Sequence, residues 1–148
     1  MLTIKKEHIT MKNLPNRDKL LQNFSCCNNW EEKYLYIIEL GRQLSPLASE
    51  MRTPYNLITA CQSRVWIAML TQSDGSIQLY GDSDAAIVKG LIAILFILYH
   101  NLNPSEIIAY DVLPFFNELS LSQYLTSSRL QGLGAMVRSI RAQAALRQ

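Results

Sequence analysis

The hexapeptide Cys61-Gln62-Ser63-Arg64-Val65-Trp66 places one thiol where a polar stretch gives way to an apolar, strand-like run. A cysteine among hydrophobes packs as a small apolar residue. Cys61 instead precedes Gln62, Ser63 and Arg64, a loop-like set that carries a positive charge. A reactive thiol needs exposure and a favoured thiolate, and Arg64 is a candidate for lowering the thiol pKa from its free value of about 8.5. Residue types alone leave two readings of Cys61 open: a working nucleophile and a partly exposed packing residue.

Other chemistries find less support. Structural zinc sites use CxxC or HxxxH spacing, and neither occurs, with His8 in an N-terminal tail and His100 at a helix end. His100 there suits the negative end of the helix dipole. A Cys–His hydrolase needs a base and an orienting group around its thiol; the one candidate base is His100, and no papain-like signature surrounds Cys61. Neither GxGxxG nor GxxxxGK[ST] is present, so no phosphate loop is expected. Cys26 and Cys27 fall between two amphipathic helices, where partial burial is the ordinary reading.

The 148 residues suffice for one domain with a real core. Apolar residues make up 49% and charged residues 18%, a globular rather than a disordered composition. The net charge of +2 is nearly balanced. Its basic features are Lys5-Lys6 and the spread of Arg138, Arg141 and Arg147, read as a solvated helix face rather than a nucleic-acid surface. Three cysteines, two of them adjacent, exclude a disulfide framework and favour a reducing compartment. The first residues lack a secretory core, and the apolar run Ala85 to Tyr99 falls short of the roughly 20 residues that cross a bilayer. The expectation is a cytoplasmic protein that binds neither membrane nor nucleic acid.

These residues must be positioned by the elements around them. Residues 1–13 read as a flexible tail and 14–148 as a single domain. Helices are predicted over Arg17–Phe24 with Asn16 as cap, and over Trp30–Gln43 with Asn28 or Asn29 as cap. In the second, Trp30, Tyr34, Ile37, Ile38 and Gly41 share one face. Tyr55–Ala60 is a weak strand candidate, and Arg64–Thr71 reads as a central strand covered on both faces. A turn at Ser73-Asp74-Gly75-Ser76 leads to a third strand, Ile77–Gly81. Asp82, Ser83 and Asp84 are alternative caps for an apolar helix over Ala85–His100, the spine of the core. Asn103-Pro104-Ser105-Glu106 starts a helix near Pro104–Tyr110. Another spans Leu113–Leu119, and a last one begins near Ser127 or Ser128 with Leu130, Leu133, Val137 and Ile140 inward. The fold class is α+β: a small three-stranded antiparallel sheet packed against helices, with Cys61 between the first two strands.

Several separated motifs, in order, resemble the SufE/CsdE family of cysteine desulfuration proteins. They are Trp30-Glu31-Glu32-Lys33-Tyr34 with Leu40-Gly41, Ala60 to Trp66, Gly81 to Leu91, and Ser127-Ser128-Arg129 with Gln131-Gly132-Leu133. The likeness runs from about Leu14 to Ala145, and the Gln62-Ser63 and Asp84-Ala85-Ala86 details look more like the SufE branch than its paralogue. The resemblance implies a SufE/IscU-like fold and a sulfur acceptor. Such a protein takes sulfane sulfur from the persulfide of a pyridoxal-phosphate cysteine desulfurase, here SufS. It carries the sulfur as a cysteine persulfide and passes it to the SufBCD complex. It has no cofactor of its own, because the pyridoxal phosphate belongs to the desulfurase. The acceptor cysteine falls on Cys61, and Gln62, Asp84 and Arg129 fall on partner-facing or pocket positions. The family pattern also admits a homodimer and a thiol sheltered when the protein is free.

Three departures stand out: Ala60 in place of a common glycine, Arg64 of a frequent glutamine, and Leu130 of a frequent serine. None removes the thiol. Sulfur transfer resembles thiol–disulfide exchange and needs no proton shuttle or metal. The alternative is a scaffold that binds an iron–sulfur cluster directly, which would need about three further soft ligands.

Overall fold

The computed structural model describes residues 14–59 and 63–148, and its first two helices each start on an asparagine. Asn16 caps α1 (Arg17–Ser25), its Oδ1 accepting the Lys19 amide at 2.8 Å. Asn29 caps α2 (Trp30–Arg42), accepting the Glu32 amide at 2.9 Å, while the Glu32 carboxylate accepts the Asn28 amide at 2.8 Å. These side chains satisfy amides that a first helical turn leaves unpaired. Leu20 and Phe24 of α1 are buried one turn apart. Helix α2 buries Ile37, Leu40 and Gly41, with Trp30, Tyr34 and Ile38 partly covered beside them.

Strands β1 (Val65–Thr71) and β2 (Ile77–Ser83) form an antiparallel hairpin, in register from Val65 opposite Ser83 to Thr71 opposite Ile77. Gly75 turns it with φ of +87°, a conformation open to glycine at no steric cost, and Asp74 accepts from the Ser76 amide and hydroxyl. Among the described residues the expected third strand over Tyr55–Ala60 is not formed, and the sheet has two strands. Leu57 alone among the described residues bridges to Trp66, flanked by donation from Ile58 N–H to the Val65 carbonyl and from Ile67 N–H to the Asn56 carbonyl. The cause is local. The Thr53 carbonyl accepts the amides of Asn56 and Leu57 in a tight turn, and Pro54 has no N–H to give a ladder. Ala60 lies outside the described residues.

Helix α3 (Ala86–Tyr99) is buried along its length except at Ala86 and Lys89. Ala85 precedes it without a side-chain cap, because the three polar residues expected there bond elsewhere. Helix α2 reaches it through glycine. A Cβ on Gly41 would stand 2.7 Å from the Gly90 nitrogen, and one on Gly90 would collide with the Ile37 carbonyl. Helix α4 (Pro104–Ala109) starts on the full capping box of Asn103 and Glu106. Two short helices follow, α5 (Leu113–Glu118) and α6 (Leu121–Tyr124), before α7 (Ser127–Ala145), which Thr126 caps. Leu133, Met136 and Ile140 of α7 are buried; Leu130 and Val137 are only partly so.

The end of α7 covers part of the outer edge of β1. Gln143 Nε2 donates to the Ile67 carbonyl at 3.3 Å and the Arg147 guanidinium to the Met69 carbonyl at 3.1 Å. The Arg141 guanidinium donates to the Ile108 carbonyl at 2.9 Å, tying α7 to α4. Two arginines of the expected solvated spread are therefore ties, and Arg138 is exposed. The described residues form an α+β fold of seven α-helices and one two-stranded sheet, with α3 at its centre. No helix among them is long and apolar enough to cross a membrane.

Candidate functional site

The residues just before β1, the start of α3 and the first turns of α7 line a cleft of about 330 Å³. Ser63 contributes from the segment before β1. Val88 and Leu91, three apart and so on one face of α3, supply apolar wall. Arg129, Gly132 and Met136 come from one face of α7, with Thr126 and Ser128 beside its first turn. Thr126 Oγ1 accepts the Arg129 amide at 3.2 Å, which fixes the start of that helix. The cleft thus offers an apolar wall and a guanidinium beside the positive end of a helix dipole. That combination suits a polarisable group that carries or develops negative charge.

Two carboxylates at the end of β2 brace the chain that leads into the cleft. Asp84 Oδ1 accepts the Arg64 amide at 3.0 Å, and the Asp84 amide donates to the Arg64 carbonyl at 3.3 Å. Arg64 therefore enters the site through its backbone, its residue otherwise exposed. Asp82 sits opposite Trp66 and meets the Arg52 guanidinium through Oδ2. Its Oδ1 accepts the Ser83 amide at 2.8 Å and pairs with Lys89 Nζ at 3.4 Å. Burial works to raise the Asp82 pKa, but the Arg52 bond, the Ser83 amide and Lys89 outweigh it and hold the carboxyl below its usual range. The Arg52 guanidinium also lies over the Trp66 ring, 4.9 Å from its centroid. Ser83 Oγ accepts the Ala85 amide at 3.2 Å.

Of the residues singled out in the sequence, Arg129 lines the cleft and Asp84 braces its entrance. Cys61 and Gln62 lie outside the described residues. Sequence reasoning missed Val88, Leu91 and Met136, although the first two carry a helical spacing inside an apolar run. It also missed Arg52, whose partner Asp82 is distant in the chain and leaves no local pattern. Cys26 is exposed and Cys27 half-buried, and neither lines the cleft. Burial first, then the Glu32 charge, pushes the Cys27 thiol up against the opposing pull of Lys33. Among the described residues no three His, Cys, Asp or Glu side chains are grouped to hold a metal ion.

Comparison with known proteins follows the same lines. The family model described as "SufE: Fe-S metabolism associated domain" matches residues 18–144. A solved structure from Thermus thermophilus, titled as the solution structure of a hypothetical protein, superposes with a TM-score of 0.71 at 19% identity. The match covers 88% of this chain and 94% of that one. At that identity the likeness speaks for the fold alone.

Proposed function

From the chain's membership of the SufE family of Fe–S metabolism associated domains, which it belongs to over residues 18–144, we propose that it is a sulfur acceptor. The donor is the persulfide of a SufS-like, pyridoxal-phosphate cysteine desulfurase, and the receiver is the SufBCD complex. The acceptor atom is the Cys61 sulfur, and the reaction belongs to the cytoplasm. One observation carries most of the reading: Ser63, two residues after Cys61 in sequence, lines the same cleft as Arg129.

The step conserves atoms and electrons. The Cys61 thiolate attacks the outer sulfur of the donor persulfide and forms a new S–S bond. The donor S–S bond breaks, and the donor cysteine leaves as a thiolate. Thiolate replaces thiolate, so no external oxidant or reductant enters. A sulfur seated in this cleft would meet Arg129 and the start of α7, which favour negative charge, and the wall of Val88, Leu91 and Met136 would limit the access of water and oxidant to it. Asp84 fixes the backbone of Arg64, three residues after Cys61 in sequence.

Incubation with desulfurase and cysteine, followed by intact-mass measurement, tests the reading. The expected result is the gain of one sulfur atom on the wild-type protein and none on Cys61→Ser, which still binds the desulfurase without stimulating it. Full stimulation by Cys61→Ser would reject the role. Anaerobic reconstitution with iron and sulfide should leave the protein without a stable visible chromophore, whereas a direct cluster scaffold would acquire one.

A further inference from the structure

We infer that Trp30 is a positioning residue for Arg129: its ring, stacked on Tyr124, ties the start of α7 to α2 and so holds the guanidinium at the cleft. The tie stands on geometry alone, and its consequence for sulfur transfer rests on the acceptor reading.

The two ring centroids lie 4.7 Å apart, with the planes 8° from parallel. Trp30 is the fixed member. It opens α2 directly after the Asn29 cap, and Tyr34, one turn on, meets its ring edge-on at 6.2 Å. Helix α2 is itself seated on α3, Gly41 against Gly90, and Gly90 lies in sequence between the cleft residues Val88 and Leu91. Tyr124 is the dependent member. It closes α6, four residues that follow Ser120 in a left-handed conformation and have no side-chain cap. A single helical turn does not hold itself. Its place comes from the burial of Leu121 and Leu125 and from the Trp30 ring.

Leu125 and Thr126 then run extended into α7. Thr126 accepts the Arg129 amide through Oγ1 and the Leu130 amide through its carbonyl, so displacement of Tyr124 passes to that first turn across one intervening residue. Among the described residues no carboxylate pairs with the Arg129 guanidinium, which leaves its position to the backbone that carries it. Helix α2 therefore joins both walls of the cleft, α3 through glycine and α7 through the stack. Tyr124 is 43% exposed, so the stack can be removed without emptying the core. The first turn of α7 should then open more often, by about fivefold for one aromatic pair. Its later turns, anchored by the buried Met136 and Ile140, should stay closed.

The experiment uses the full chain with Tyr124→Leu, Tyr124→Phe, Trp30→Leu, Arg129→Ala and the double variant Tyr124→Leu with Arg129→Ala. In Tyr124→Leu the Arg129 and Leu130 amides should exchange about fivefold faster. Phenylglyoxal should modify Arg129 faster by a similar factor, with the exposed Arg138 as the unchanged control. Exchange at Val137 and Ile140 should match wild type, and the Tm should fall by a few degrees at most. Tyr124→Phe, which keeps the ring, should restore both readouts, and Trp30→Leu should reproduce the effect at Arg129. With desulfurase and cysteine, Tyr124→Leu should lower stimulation yet take nothing further from Arg129→Ala. A stack that served folding alone would subtract from both backgrounds alike. Unchanged exchange and unchanged Arg129 modification in Tyr124→Leu would overturn the inference, as would losses spread along all of α7 in step with a fall in Tm. An added loss in the double variant would overturn the assignment to Arg129. If the wild-type protein gains no sulfur and gives no stimulation, the acceptor reading fails, while exchange and modification at Arg129 still decide the tie.

Discussion

Asp84 grips Arg64 at both polar groups of its backbone, accepting its amide through Oδ1 at 3.0 Å and donating to its carbonyl at 3.3 Å. This extends the hairpin one pair past Val65 and Ser83. Asp84→Ala removes the side-chain bond and leaves the backbone one. Loss of one such bond, about 1 kcal/mol, should speed exchange of the Arg64 amide roughly fivefold. Asp84→Asn, which keeps an acceptor oxygen, should stay near wild type. Hydrogen exchange read at Arg64 checks both, and equal protection in Asp84→Ala would contradict the arrangement.

Helices α2 and α3 touch backbone to backbone at Gly41 and Gly90. A methyl group on Gly90 would meet the Ile37 carbonyl, which belongs to a fully buried residue and cannot yield as a flexible side chain would. Gly90→Ala should therefore destabilise the fold by about 3 kcal/mol, at the upper end of ordinary overpacking. Urea denaturation measures it. A loss below about 1 kcal/mol would mean that the helices can separate without cost.

Tyr99 is buried in the core, and its hydroxyl finds no partner among the described residues. Burial pushes the phenol up to about 12 from an ordinary 10.0. The folded pKa is raised, so this group's contribution is fully present below the unfolded pKa near 10 and is lost as pH rises through about 12. Tyr99→Phe removes both effects. It should stabilise the protein by about 1 kcal/mol at neutral pH, as an orphaned polar atom leaves the core. Its margin over wild type should widen between pH 10 and 12. Denaturation at several pH values tests this, and a constant margin would contradict it.

The adjacent thiols Cys26 and Cys27 differ in environment. Cys26 is exposed, whereas Cys27 is half-buried, lies 3.5 Å from the Asn23 carbonyl and has its pKa raised by burial. Limited alkylation near pH 8 should label Cys26 well before Cys27, as peptide mapping would show. Cys26→Ser should leave stability and stimulation of a desulfurase near wild type. Preferential labelling of Cys27 would reverse the assignment.

Local grammar in the sequence specified much of this fold. Asn16, Asn29 and Asn103 each start the helix their position implies, Gly75 turns the hairpin, and the apolar run before His100 becomes the central helix. The third strand misled because Tyr55–Ala60 carries strand-forming side chains while Thr53 and Pro54 commit the preceding backbone to a turn. Asp82 and Asp84 misled for a related reason: a carboxylate before a helix looks like a cap, yet it serves any amide or cation nearby. Here those are Arg64, Arg52 and Lys89. The four-residue α6 is too short to show a period, and Ser120 begins it at φ of 58°. Arg129 was legible only through likeness to a family, since nothing in its neighbours announces a cleft.

The side chains of Gln143 and Arg147 occupy the carbonyls that a further strand would use. A visiting chain in extended form cannot lengthen the sheet on that side without prying the last turn of α7 loose. Recognition by strand addition is thereby shut out along that border, as is the edge-to-edge stacking that drives β-rich proteins out of solution.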